Sequence, residues 1–144
     1  VPEGLVMGEE SEWERHRIRA GIPAMGAELD ETTIPGATGV LEQSVSFTKG
    51  CYTGQELVAR IDSRSAGTPT RLVRVEGRTK RGVEAPPPGS VLEVKSKPAG
   101  NLTSVATDSS GFVALAYVKR GVELPETALA CWDGKAAEIT LLAD

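Results

Sequence analysis

The chain has 144 residues, 40% of them hydrophobic and 4% aromatic, with a formal net charge of −4. That length allows one ordinary core or two small packed units, built on Val, Leu, Ile and Ala. The acidic balance argues against a general nucleic-acid binder. No apolar run approaches the roughly 18–20 residues that span a bilayer, and Val1–Glu12 has no signal-peptide pattern. Two cysteines 80 positions apart give neither a disulfide framework nor a metal-ligand spacing, so a reducing cytoplasm is the expected compartment. Residues 1–66 carry 6 basic and 11 acidic side chains, net −5, and residues 67–144 carry 10 and 9, net +1. The shift predicts a boundary near Gly67.

Ser11-Glu12-Trp13-Glu14 reads as a capping box, opening a helix that runs to about Ala20. Gly21 supplies its left-handed cap and Pro23 stops it. Trp13, Arg17 and Ala20 share a face, with His16 beside them. The acidic run Glu9, Glu10, Glu12 and Glu14 complements the helix dipole. Residues 21–48 are rich in glycine and proline and read as a wrapping loop, with "SVSF" (44–47) as a short strand. Thr53-Gly54-Gln55-Glu56 is a second capping box. Its helix carries Leu57, Val58 and Ile61 inward and ends before Gly67.

From Thr70 the pattern changes. "RLVRVEG" (71–77), "SVLEV" (90–94), "LTSVAT" (102–107), "GFVALAYV" (111–118), "ALACW" (128–132) and "AAEITLLA" (136–143) read as six strands. "APPPG", "KPAG", "DSSG", "LPE" and "DGK" separate them, and Asp133-Gly134 is a strong hairpin signal. Together they predict a small antiparallel barrel. The five cations Arg71, Arg74, Arg78, Lys80 and Arg81 have two readings. They are either an exposed strand whose charges discourage edge pairing, or a patch for an acidic partner, RNA or the polyglutamate tail of a folate.

Chemistry concentrates at "TKGCYTGQELVAR" (48–60). Thr53 as N-cap puts Cys51 two residues before a helix, where backbone N–H groups and Lys49 favour a thiolate. Gly50 and Gly54 permit close approach of a ligand. Tyr52 offers a stacking face, and Gln55 and Glu56 bring polar groups to the same helix end. The residues alone are also compatible with a structural cysteine in a turn that merely needs its glycines. Cys131, within "ALACW", reads as core. His16 lies far from Cys51 in sequence, and no dinucleotide fingerprint or P-loop is present.

"KGCYTGQE" (49–56) resembles the signature of the YgfZ family of folate-binding proteins. These are relatives of the glycine-cleavage T-protein, an aminomethyltransferase. "RIRAGIP" (17–23), "GAELDETTIP" (26–35), the continuation through Arg60 and "GFVALAYVKRG" (111–121) extend the resemblance over essentially the whole chain. It implies an α+β architecture: the C-terminal section of a T-protein-like folate-binding core (1–66), then a six-stranded antiparallel β-barrel (67–144). It implies tetrahydrofolate as cofactor, in a site whose other half this chain does not hold. Cys51 is implied as the motif cysteine, with Lys49, Gly50, Tyr52, Gly54, Gln55 and Glu56 as cofactor-binding positions and no metal site. The implied function is support of iron–sulfur cluster assembly or repair, with the assembly machinery or client iron–sulfur proteins as partners. A folate-dependent aminomethyltransferase-like activity and a non-enzymatic partner-binding module are the alternatives. Two departures stand out. Arg19 occupies the place where T-protein relatives carry a glutamate that helps hold the folate ring, and "RSAG" (64–67) keeps Arg64 but delays the glycine that often follows it.

Overall fold

Six strands close on themselves in the computed structural model, which describes residues 4, 6–46, 48–62, 67–80, 82–125 and 127–142. The strands are β1 (Thr70–Arg78), β2 (Val91–Val94), β3 (Lys97–Asp108), β4 (Gly111–Lys119), β5 (Ala128–Trp132) and β6 (Lys135–Leu141). Every pairing is antiparallel, in the order β1-β4-β3-β2-β5-β6, with β6 returning to β1. Closure removes the free edges that an open sheet of this size would expose.

The narrow interior explains the sequence's reliance on small residues. Ala99, Ala114, Ala116, Ala128, Ala130 and Ala137 alternate there with Val75, Leu92, Leu102, Val118 and Ile139. Strand β4 is apolar from Phe112 to Ala116 because both of its faces are buried there. Phe112, Ala114, Ala116 and Val118 point into the barrel, while Val113 and Leu115 face outward and pack with Ala106 against Ile18. Burial of a side chain such as Ile18 is worth about 1.5–3 kcal/mol.

Ile18 belongs to helix α1 (Glu10–Arg19), which packs on β3 and β4. The helix begins earlier than the Ser11 cap predicts. Glu9 is the N-cap, its carbonyl accepts from the N–H groups of Glu12 and Trp13, and its own N–H donates to the Glu12 carboxylate at 3.2 Å. A Glu-x-x-Glu pair thus does the work expected of the Ser-x-x-Glu box. At the other end Gly21 turns left-handed (φ 71°). Its N–H bonds the Ile18 carbonyl and that of Ile22 bonds Arg17, a Schellman closure.

A 3-10 turn (Pro35–Ala37), the short helix α2 (Leu41–Ser44) and helix α3 (Gln55–Asp62) complete the N-terminal arm. The strand expected at 44–47 is not formed: Ser44 ends α2, Val45 closes that turn onto the Leu41 carbonyl, and Phe47 lies outside the described residues. "KPAG" is likewise strand rather than turn. The β2–β3 reversal sits at Lys95-Ser96 instead, because a side chain at Gly100 would meet the Tyr117 carbonyl at 2.0 Å. That glycine serves strand contact, not chain reversal.

Candidate functional site

The loop holding Cys51 runs from the end of α2 into α3, and α3 packs on the 3-10 turn. Helix α3 starts one residue later than the Thr53 cap predicts. Gly54 (φ 86°) interrupts the helical path, and its carbonyl accepts the first helical bond, from Val58, at 3.2 Å. Cys51 therefore stands three residues ahead of the cap and is exposed. Lys49, Gly50, Thr53, Gly54 and Glu56 are exposed as well, while Tyr52 and Gln55 are half-buried. The Lys49 N–H donates to the Ser46 hydroxyl at 3.3 Å and the Gln55 N–H to the Tyr52 carbonyl at 3.2 Å, which fold the loop back on itself. Val58 anchors the helix inward. The side chains of Leu57 and Ile61, expected to point inward, are not described, and Arg64 lies outside the described residues.

His16 is exposed on α1, its ring centroid 6.2 Å from that of Trp13. No hydrogen bond joins it to Cys51. Cys131 is half-buried on β5. Burial pushes its thiol pKa up, and the neighbouring Glu93 adds to the effect.

The densest polar cluster is one that sequence reading did not single out. Arg17 and Glu28 are both buried. Arg17 Nη1 donates to Glu28 Oε2 at 3.0 Å and to the Ile22 carbonyl at 2.7 Å; Nε donates to Glu14 at 2.9 Å, and Nη2 to Ser104 Oγ at 2.7 Å. Nη2 also pairs with Glu14. Ser104 in turn donates to Glu28 Oε1 at 2.6 Å, the Ala24 N–H to Oε2 at 2.9 Å, and the Tyr117 hydroxyl to the Glu28 backbone carbonyl at 2.9 Å. Burial works to raise the Glu28 pKa, but the Ser104 and Ala24 hydrogen bonds and the Arg17 charge leave it lowered overall. The hydrogen bond to Glu14, opposed by burial, leaves Arg17 raised. The cluster ties α1 and the 21–34 loop to β3 and β4. Sequence reading assigns neither charge a role; the available sign is that "RIRAGIP" and "GAELDE" lie close together along the chain.

Arg19 points elsewhere. Its guanidinium lies 3.4 Å from Asp108, and its carbonyl accepts from Arg74 Nη1 at 3.1 Å. It helps line a cleft of about 340 Å³ with Glu76, Arg78, Phe112, Glu138 and Thr140. On β1, Arg71 and Arg74 both border one cleft, Arg71 bonds the Val122 carbonyl at 3.1 Å, and Arg81 is outside the described residues. Among the described residues no three His, Cys, Asp or Glu side chains gather as metal ligands, and no helix is long and apolar enough to cross a membrane.

No family model matches the chain. Its fold is similar to that of the glycine cleavage system aminomethyltransferase T from Bartonella henselae, with a TM-score of 0.64 at 19% identity, over 90% of this chain and 36% of that one. The closed six-stranded barrel with its helical arm is thus the C-terminal part of a T-protein fold, of α+β class. In sequence the chain is 44% identical over 59 residues to the tRNA-modifying protein YgfZ of Yersinia pestis, 40% of this chain and 18% of that protein. It is also 36% identical over 123 residues to a chloroplastic protein of Arabidopsis thaliana whose name places it provisionally among the transferases, 83% of this chain and 27% of that protein. The chain is YgfZ-like, and it spans under a third of the length of these two relatives.

The loop carries a cation at Lys49, an aromatic ring at Tyr52 and an amide at Gln55. These groups do not line the clefts beside Arg19, Arg71, Lys95, Leu41 or Tyr117.

Proposed function

We propose that this chain is the C-terminal part of a folate-binding, YgfZ-like accessory protein that supports iron–sulfur cluster assembly or repair in the cytoplasm. Residues 1–66 contribute one side of the tetrahydrofolate site, and residues 67–144 form the barrel that carries them. Lys49, Gly50, Tyr52, Gly54, Gln55 and Glu56 face the folate. Cys51 is presented to the assembly machinery or to a client iron–sulfur protein. The observation that carries this reading is the exposure of Cys51 in a glycine-flanked loop at the head of α3, within the octapeptide that resembles the family signature.

The test is made in cells expressing the complete gene product with Cys51→Ala. Iron–sulfur enzyme activities should fall several-fold, and unchanged activities would remove Cys51 from the mechanism. Calorimetric titration of the complete protein with tetrahydrofolate should show saturable binding that weakens in a Tyr52→Ala, Gln55→Ala variant.

The T-protein fold favours a second reading, a folate-dependent one-carbon transferase. Arg19, engaged with Asp108, counts against it. Clear aminomethyl transfer by the complete protein would reverse this ranking.

A further inference from the structure

One end of the barrel carries a cleft that plays no part in the reading above. It lies between the β2–β3 hairpin and the 120–125 loop and has a volume of about 550 Å³. Its floor is apolar, made by Val94, Pro98, Ala99, Val122, Leu124 and Pro125. Val94, Val122 and Leu124 are only partly buried and rest on the barrel core. The rim is cationic. Lys95 and Lys97 are exposed, and neither ammonium is held by an ion pair among the described residues. Lys119 Nζ donates to the Pro98 carbonyl at 3.3 Å, which brings a third ammonium to the same edge. Glu123 is the one carboxylate in the lining.

The turn that presents Lys95 is costly. Lys95 (φ 51°) and Ser96 (φ 60°) are both left-handed, in a two-residue reversal between Val94 and Lys97. The β5–β6 reversal has the same shape, but fills it with Asp133 (φ 43°) and Gly134 (φ 71°), the residue types that tolerate it. Barrel closure makes no use of the Lys95 side chain. The turn keeps a lysine where asparagine or glycine would fold better, and that lysine stands at the cleft.

We infer that this cleft docks an acidic peptide segment bearing a bulky apolar side chain. The side chain covers Val122, Leu124 and Pro98, and flanking carboxylates meet Lys95, Lys97 and Lys119. Complementary charge steers such an encounter and fixes its register. No aromatic side chain lines the cleft for bases to stack on, which favours peptide over single-stranded nucleic acid. The inference stands independently of folate binding.

The test uses fluorescence anisotropy with the complete chain and the fluorescein-labelled probe Glu-Glu-Leu-Trp-Glu-Glu. The probe should bind, and the same peptide with glutamine for glutamate should not. Joint Lys95→Glu and Lys97→Glu replacement should weaken binding about tenfold. Joint Lys95→Asn and Ser96→Gly replacement should raise the melting temperature while still weakening the probe, which separates docking from folding. Absence of probe binding, equal binding of the glutamine peptide, or unchanged affinity in either variant would overturn the inference. So would tighter binding of a single-stranded RNA oligonucleotide that the same lysines control, since the surface would then serve nucleic acid.

Discussion

The barrel and the N-terminal arm are held by different forces. The barrel surrounds a continuous apolar cluster from Val75 to Ile139. Among the described residues the arm buries only Ile18, Ala37 and Val58 of its apolar side chains, while Val6, Met7, Trp13 and Met25 are exposed. Its attachment includes Ile18, the buried Arg17–Glu28–Ser104 cluster, and the contacts of Arg19 with Asp108 and Arg74. Hydrophobic burial tolerates small shifts, whereas an ion pair in a dry site depends on every partner being present. The arm, which carries the Cys51 loop, is therefore the part of the molecule expected to open first.

The contrast breaks if the two regions respond alike to core damage. Leu92 is fully buried inside the barrel. Leu92→Ala should cost about 3–5 kcal/mol and lower thermal stability throughout the molecule. Val58→Ala, made in the arm, should cost about 1 kcal/mol and leave the barrel's melting temperature unchanged. Equal losses measured by calorimetry would mean that arm and barrel share one core.

The ion pair sharpens the contrast next. Arg17→Met leaves the Glu28 carboxylate buried without its cation, at a cost of about 3 kcal/mol to the docking of the arm. Hydrogen exchange should rise in α1 peptides and stay slow in β3 and β4. Acid should act in the same direction. Because the Glu28 pKa is lowered on folding from its ordinary 4.5, its contribution is complete above that value and fades as pH falls through the folded pKa. Limited pepsin digestion from about pH 5 to pH 2 should cut the arm before the barrel, and barrel cleavage at the same pH would contradict the assignment.

The two regions also differed in how far their sequences could be read. Short apolar runs between turn signals located all six strands, and Asp133-Gly134 announced its own turn. The errors fell where a residue's usual meaning was overridden by its contacts, some distant and some local. Gly100 and Pro98 looked like a turn, yet the close approach of Tyr117 requires that glycine within β3. Helical spacing puts Arg17 on a face with Trp13 and Ala20 but names no partner for it, because Ser104, which it meets in the buried cluster with Glu28, is 87 positions along the chain. Both helix caps moved by one or two residues, as local hydrogen bonds chose Glu9 and Gly54 over Ser11 and Thr53. The signature octapeptide drew attention to Cys51, and the fold leaves that residue exposed.

The smallest expected difference lies between the two thiols, one in each region. Cys51 is exposed in the arm's loop, and Cys131 is half-buried on β5 with its pKa raised by burial and by Glu93. A raised pKa leaves less thiolate at any pH below it, and thiolate is the reacting species. At pH 8 an aromatic disulfide reagent should modify Cys51 at least about tenfold faster than Cys131. Replacing Glu93 with Gln should quicken Cys131 and leave Cys51 as it was, because the carboxylate's repulsion acts on the barrel thiol alone. If Cys131 reacted first, the loop ahead of α3 would have to be closed over its cysteine, and the arm's hold on the barrel would have to be tighter than Ile18 and the Arg17 cluster provide.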